Sequence, residues 1–109
     1  MFNVVPISYQ ALTVAKKRLL DSYPIRELIL FGSVARSQAG PDSDIDLLIV
    51  TERLSTDAEY DAICGEIYET NLLYDTQITP VIVDADSWYQ GILTLTPLHS
   101  DVMRGGVPV

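Results

Sequence analysis

The sequence contains one cysteine, few positive charges and no long apolar run. Cys64 has no second cysteine with which to form a disulfide, and this favours a reducing, cytoplasmic location. No segment approaches the roughly 18 consecutive apolar residues of a membrane span. The first ten residues also lack a basic region followed by a long apolar stretch. We therefore expect neither a membrane anchor nor a secretory signal.

The charge balance limits the classes of partner. Seven Lys and Arg residues stand against 15 Asp and Glu residues, and the formal net charge is −8. Nucleic-acid binding depends on basic side chains that neutralise phosphates, so we expect no DNA or RNA partner. A free nucleotide that arrives with Mg²⁺, or a basic protein, is compatible with this charge. The length of 109 residues predicts a single domain, residues 1–109.

The most informative stretch runs from Leu28 to Val50 and reads LILFGSVARSQAGPDSDIDLLIV. Two short apolar runs, residues 28–31 and 47–50, are separated by a polar segment rich in Gly, Pro and Asp. Such runs are typical of buried strands. The stretch therefore predicts a strand, a turn, a short helix over residues 34–39, a second turn and a second strand.

Asp44 and Asp46 lie two residues apart at the start of the second predicted strand. Side chains alternate between the two faces of a strand, so both carboxylates point the same way. Adjacent carboxylates repel each other unless a cation lies between them. Mg²⁺ takes oxygen ligands and is commonly held by one or two carboxylates together with substrate phosphates. Asp44 and Asp46 are therefore the predicted metal-binding and catalytic pair.

Gly32 and Ser33 provide the features of a phosphate-binding turn. Glycine permits a tight turn and close approach of the backbone to a ligand. Ser33 is a suitable N-cap for the short helix, whose free N–H groups can bind an anion. Arg36, in the first turn of that helix, either binds the triphosphate or pairs with a nearby Asp. The predicted nucleotide-binding residues are Gly32, Ser33 and Arg36.

The spacing of Gly32-Ser33, ten residues and Asp44-x-Asp46 resembles the signature of the DNA polymerase β-type nucleotidyltransferases. The flanking sequence resembles their minimal, single-domain bacterial branch, whose members often act as antitoxins of HEPN-domain toxins. The resemblance implies an α/β (α+β) fold, with helices packed on a mixed sheet of three or slightly more strands. It also implies transfer of a nucleoside monophosphate from an NTP, most simply ATP, with two Mg²⁺ ions. The acceptor hydroxyl would lie on a HEPN-type partner.

Active members of the superfamily usually carry a third carboxylate on the next strand. The matching position here is near Thr79, which cannot serve as a metal ligand or base in the same way. Three acidic residues near that strand are candidate substitutes, namely Asp75, Asp84 and Asp86. This departure motivates a second hypothesis, in which the domain is catalytically weak or inactive and acts by binding its partner.

Other interpretations fit the sequence less well than these two. A calcium loop that begins at Asp42 would need Gly at its sixth position and Glu at its twelfth, where this chain has Leu47 and Arg53. A plain surface turn explains a Gly-Ser pair but not the whole constellation. A small-molecule nucleotidyltransferase is disfavoured because no second substrate-binding domain is evident. Association into a homo-oligomer is left open.

The remaining elements are predicted from periodicity and capping signals. Ser8 is expected to cap a helix that runs to about Tyr23. Ser55 or Thr56 is expected to cap another, and Glu59, three residues after Thr56, gives a capping box. Strands are expected over residues 26–31, 45–51 and 76–83, and short helices near residue 88 and over residues 97–104. Pro80 cannot donate a ladder hydrogen bond, so it predicts an edge position or early termination of the third strand. The helical spacing of Tyr60, Ile63, Cys64 and Ile67 predicts a buried stripe. The tail after Gly106 is expected to be extended or loose.

Overall fold

The computed structural model describes residues 6–32 and 44–109, which form one four-stranded sheet with helices on both faces. The four strands are β1 (Ile25–Phe31), β2 (Ile45–Thr51), β3 (Ile78–Asp84) and β4 (Val107–Pro108). The helices are α1 (Pro6–Ser22), α2 (Asp57–Tyr74), α3 (Ala85–Tyr89), the 3₁₀ helix η1 (Ile92–Leu95) and α4 (Pro97–Gly105). No helix in the described ranges combines the length and apolar character needed to cross a bilayer.

The sheet is mixed, with strand order β3-β2-β1-β4. β1 is antiparallel to both β2 and β4, whereas β2 and β3 run parallel. The predicted mixed sheet with packed helices is confirmed. The fourth strand comes from the C-terminal tail, where Leu30 pairs with Val107 and Ile29 with Pro108. A tail of three residues carries too little pattern for a strand to be predicted, and the pairing depends on β1 being available.

Two apolar clusters cover the two faces of the sheet. Helices α1 and α2 pack on one face, where Leu19, Leu47 and Ile67 are all at most 1% exposed. Helices α3 and α4 pack on the other face, around Leu48 and Trp88. Because both faces are covered, β2 is apolar at nearly every position from Ile45 onward, as expected of a central strand. Trp88 is 1% exposed and is therefore a packing residue.

Helix α1 begins at Pro6, two residues before the predicted cap at Ser8. Proline is tolerated in the first turn because the N–H that it lacks has no intrahelical partner there. Leu12, Ala15 and Leu19 recur at helical spacing and form the buried face of the helix. Its packing partner is α2, and Arg18 on α1 lies 3.6 Å from the carboxylate of Glu66 across that contact.

Helix α2 has the predicted capping box but a different buried stripe. The Thr56 hydroxyl accepts a hydrogen bond from the Glu59 N–H, and the Glu59 carboxylate accepts one from the Thr56 N–H. Ile63 and Ile67 are buried as expected, whereas Tyr60 is 47% exposed and Cys64 is only partly buried. The prediction that Tyr60 and Cys64 belong to the core is wrong. The helix buries Ile63, Ile67 and Thr70, because α1 and the sheet meet it from that side.

Strand β3 is an edge of the sheet, as its internal proline predicts. The Ile45 N–H donates to the Gln77 carbonyl at 2.9 Å. Backbone groups alternate along a strand, so those of Ile78 and Pro80 point to the outer edge, where the missing N–H of Pro80 costs no ladder bond. The Asn71 side chain covers Ile78 there: its Oδ1 accepts from the Ile78 N–H at 2.9 Å and its Nδ2 donates to the Ile78 carbonyl at 3.0 Å.

Candidate active site

The end of β1 and the starts of β2 and β3 meet at one end of the sheet. The register places Phe31 opposite Asp46 in the antiparallel pair, and Asp46 beside Thr79 in the parallel pair. Gly32 follows β1 directly, and Asp44 directly precedes β2. The structure therefore brings Gly32, Asp44 and Asp46, three of the predicted site residues, to the same edge.

Asp46 lies on the face that α3 and α4 cover farther along the sheet, and Asp44 directly precedes the strand. Asp46 alternates with Leu48 and Val50 along β2, and both of those residues are buried in the cluster around Trp88. Asp44 is exposed and Asp46 is partly exposed. The strand rise separates their Cα atoms by about 6.6 Å. Asp46 is thus placed by a central strand, with Asp44 directly before it, and neither side chain is buried.

Gly32 lies against the Asp46 side chain. Its φ is +77°, a backbone conformation that side-chain-bearing residues rarely adopt. A Cβ added there would collide with the Oδ2 atom of Asp46 and lie 3.3 Å from its Cγ. Glycine is therefore required twice, by the turn and by the closeness of the Asp46 carboxylate. The sequence predicts the turn, whereas the contact between the two halves of the motif is visible only in the fold.

The remaining predicted nucleotide-binding residues lie outside the described residues. These are Ser33, Arg36 and the short helix over residues 34–39. Their roles therefore remain predictions that the geometry of Gly32 and Asp46 neither tests nor opposes.

The described residues fit a hard divalent cation. Asp44 and Asp46 offer carboxylate oxygens two residues apart in the chain, and the absence of a side chain at Gly32 leaves room against the Asp46 carboxylate. Oxygen donors with space for water and phosphate suit Mg²⁺. Within residues 6–32 and 44–109, no group of three acidic, histidine or cysteine side chains converges on one point. The two aspartates are thus the protein ligands that this part of the chain can supply.

The resemblance predicts a third carboxylate near Thr79. In the register, Thr79 lies directly beside Asp46 and belongs to the same face as Val81 and Val83. The threonine hydroxyl is uncharged at neutral pH. It therefore neither balances the charge of a second metal ion nor takes up a proton as a carboxylate would. The described strand β3 therefore contributes no acid beside the pair.

The three candidate substitutes are distributed differently. Asp84 pairs with Thr51 at the far end of β3, about 16 Å along the strand from Thr79. Its carboxylate caps α3 by accepting from the Ser87 N–H at 3.0 Å, a hydrogen bond that lowers the pKa of Asp84. Asp86 lies beyond it in the first turn of α3. Of the three, only Asp75 lies at the same end of the sheet as Asp46. It is the C-cap residue of α2 and has a left-handed backbone, with φ +53°.

Asn71 is a site-forming residue that the sequence did not indicate. Besides its two bonds to Ile78, its Oδ1 accepts a hydrogen bond from the Thr76 hydroxyl at 3.0 Å. These bonds fasten the start of β3 to the end of α2 and so hold Thr79 in register beside Asp46. An asparagine near a helix end has no distinctive sequence pattern, because its partner, Ile78, is defined only once β3 is an edge strand.

Comparison with known proteins agrees with this architecture. A family model described as a nucleotidyltransferase domain matches residues 12–100. The protein adenylyltransferase MntA of Thermococcus cleftensis (strain DSM 27260 / KACC 17922 / CL1) is 42% identical over 43 residues. That alignment covers 39% of this chain and 43% of the MntA protein, so the chain matches less than half of that relative's length.

Solved structures share the fold at low sequence identity. A minimal nucleotidyltransferase superposes with a TM-score of 0.60 and 24% identity, covering 94% of this chain and 92% of that one. A chain from a crystal structure of a toxin–antitoxin with AMP-PNP gives 0.59 and 13%, covering 95% and 72%. A chain from the tri-AMPylated Shewanella oneidensis HEPN toxin in complex with MNT antitoxin gives 0.56 and 18%, covering 94% and 70%.

Proposed function

The chain belongs to the nucleotidyltransferase domain family, and we propose that it transfers AMP from Mg-ATP to a hydroxyl group on a HEPN-type partner protein. Residues 1–109 would act as one minimal domain in this reaction. The observation that carries the proposal is the contact between Gly32 and Asp46, which joins the phosphate-binding turn to the acidic pair. The choice of ATP is supported by the adenylyltransferase relative and the neighbour that was crystallised with AMP-PNP.

In this reaction the chain's own residues bind the Mg-nucleotide and orient its phosphates. The turn at Gly32 and Ser33 holds the β- and γ-phosphates through backbone N–H groups, and Arg36 contacts the triphosphate. Asp44 and Asp46 hold Mg²⁺, which neutralises phosphate charge when it is bound. The acceptor oxygen attacks the α-phosphorus, the bond from that phosphorus to the β-phosphate oxygen breaks, and pyrophosphate leaves. The hydroxyl proton passes to the Asp46 carboxylate or to water.

A HEPN-type acceptor is supported by the fold neighbours. One of them comes from a complex of an AMPylated HEPN toxin with an MNT antitoxin. A second candidate function, partner binding without catalysis, is supported by Thr79, which stands beside Asp46 where a third acid would assist proton removal and metal binding. In that case the domain keeps Mg-nucleotide binding and silences its partner by contact.

A titration of Mg-ATP and Mg-GTP into the purified chain tests the site. We expect binding that needs Mg²⁺ and is lost in the Asp44→Asn/Asp46→Asn double variant. Asp86→Asn is the matched control, because it removes one exposed aspartate beyond the far end of β3. Binding that persists in the double variant, or that is lost equally in Asp86→Asn, would contradict the assignment of Asp44 and Asp46.

Transfer itself is tested with [α-³²P]ATP and the HEPN-domain protein from the same genome. Label on that protein, absent with Asp46→Asn, supports catalysis. Neutralisation of the partner that survives the Asp44→Asn/Asp46→Asn change, with no label in the wild type, favours the binding-only function.

A further inference from the structure

Helix α2 presents a second, outward stripe that no other described element covers. We call it the α2 outer face, and its members are Asp57, Asp61, Cys64, Gly65, Tyr68 and Leu72. Asp57, Asp61, Gly65 and Asp61, Cys64, Tyr68, Leu72 are two runs at spacings of three or four residues, so the set follows one side of the helix. Tyr68 is 65% exposed and Leu72 is 67% exposed, whereas Ile63 and Ile67 on the inner side are 1% exposed. Two large apolar side chains thus stand on a stripe that faces water.

Gly65 leaves a flat position in the middle of this face. A Cβ built there would meet no atom within 4 Å. Glycine inside a helix costs about 1 kcal/mol relative to alanine, and no contact within the described residues requires it. A missing side chain beside Cys64 and Tyr68 allows another backbone to approach α2 closely. This is a feature of packed interfaces and gives an isolated helix no advantage.

The charge of α2 indicates the sign of the occupant. The helix carries five acidic residues and no Lys or Arg. Arg53 pairs with Glu59, and Arg18 lies near Glu66 and Glu69. Asp57 and Asp61, on the outer face, have no ion-pair partner among the described residues. A second copy of this chain would bring these acids against each other in a symmetric contact, and the net charge of −8 adds to the repulsion.

Addition of a strand to the neighbouring β3 edge is blocked. The outward backbone groups of Ile78 are already bonded by Asn71, and Pro80 has no N–H to donate. Such features protect edge strands from pairing with another chain. The occupant must therefore contact this region through side chains.

The face leads to the candidate active site. Tyr68 and Leu72 also line a cleft of about 430 Å³ whose other walls include Asp75, Gln77 and Thr79. Thr79 lies beside Asp46. We propose that the α2 outer face and this cleft dock a basic protein segment with an apolar side chain that enters the cleft. That segment brings the partner's acceptor hydroxyl to Asp44 and Asp46, a role that rests on the function proposed above.

A matched pair of variants on the same helix tests the apolar part. Leu72→Ser alters the outer face, and Leu73→Ser alters a leucine of equal exposure, 65%, that points about 100° away. Affinity for the purified HEPN-domain protein of the same genome is measured by biolayer interferometry. We expect at least a tenfold loss for Leu72→Ser and less than a twofold change for Leu73→Ser. Equal effects of the two changes, or no binding by the wild type, would overturn the proposal.

Reversing the charge of the α2 outer face tests whether the partner segment is basic. Asp57→Lys/Asp61→Lys is expected to weaken binding at least tenfold at 50 mM NaCl, and the deficit should shrink at 500 mM because salt screens exposed charges. Asp86→Lys, on α3, serves as the control and should change affinity less than twofold. Tighter binding by the double variant would contradict a basic occupant.

Two further measurements separate this inference from the proposed function. Mg-ATP titration of Leu72→Ser should match the wild type, because Asp44 and Asp46 are unchanged. Nucleotide binding that depends on Asp44 and Asp46, together with a partner affinity that ignores Leu72, would retain the proposed function and reject the docking face. A wild-type dimer in sedimentation that Leu72→Ser converts to monomer would replace the basic partner with a second copy.

Discussion

Asp46 and Thr79 lie side by side in the parallel pair of β2 and β3, near the start of both strands. The family resemblance expects a third carboxylate at the position of Thr79. A carboxylate there would raise the negative charge of the site and could accept the proton of an attacking hydroxyl. The chain thus combines an acidic pair with a neutral neighbour, and under the proposed function we expect this combination to favour nucleotide binding over efficient transfer.

Thr79→Asp is expected to raise the rate of AMP transfer. A positioned general base contributes about 10²- to 10⁴-fold in enzymes, and even partial success should give at least a tenfold increase. The rate of [α-³²P]AMP incorporation into the HEPN-domain partner measures the effect. Thr79→Asn is the control, since asparagine has a shape similar to that of aspartate but carries no charge. An equal response of the two variants would show that Thr79 does not occupy the position of a catalytic acid.

Gly32→Ala should destabilise the fold and abolish Mg-ATP binding. The φ of +77° and the collision with Asp46 both oppose a side chain, and backbone strain of this kind costs about 1–3 kcal/mol. Gly65→Ala provides the opposite control, because its Cβ meets nothing and α2 gains about 0.5–1 kcal/mol. Urea unfolding measures the free energy of unfolding of both variants, which should fall for Gly32→Ala and rise for Gly65→Ala. A neutral Gly32→Ala would mean that the turn adapts.

Asn71→Ala should loosen the start of β3. Truncation leaves the Ile78 N–H and carbonyl without their side-chain partners, at a cost of about 1–3 kcal/mol in the free energy of unfolding. Amide hydrogen exchange at Ile78 should accelerate more than the exchange of the central strand β2. Gln77→Ala, an exposed change in the same segment, should stay within about 0.5 kcal/mol of the wild type. Unchanged exchange at Ile78 would contradict the role of Asn71.

The capping box of α2 should give the protein a pH-dependent component of stability. Hydrogen bonds from Arg53, and then from the Thr56 backbone, lower the pKa of Glu59 to about 2 from its ordinary 4.5. A lowered pKa means stability that is present above pH 4.5 and is lost as pH falls toward 2. Urea midpoints between pH 5 and pH 2.5 should fall less steeply for Glu59→Gln than for the wild type. If the urea midpoints of the two proteins fall in parallel with pH, Glu59 is not the source of the pH-dependent stability.

Local patterns in the sequence were sufficient for most elements. Strand β2 occupies Ile45–Thr51 as predicted, because an apolar run bounded by Asp and a turn has few alternatives. The Thr56 cap and the edge position of Pro80 are confirmed for the same reason: each depends on chemistry within a few residues. The pairing of Asp44 with Asp46 on one face likewise follows from strand alternation alone.

Long-range relationships were decided by the tertiary structure. The contact of Gly32 with Asp46 and the tie between Asn71 and Ile78 join residues whose neighbours are defined only after the strands pair. The same limit explains Tyr60, since helical spacing permits several apolar stripes and packing against α1 and the sheet selects one. Local patterns along the chain were enough to predict most helices and strands and to identify the acidic pair. The tertiary structure decided which side of α2 is buried and which residue stands beside Asp46, because both depend on the packing of distant segments.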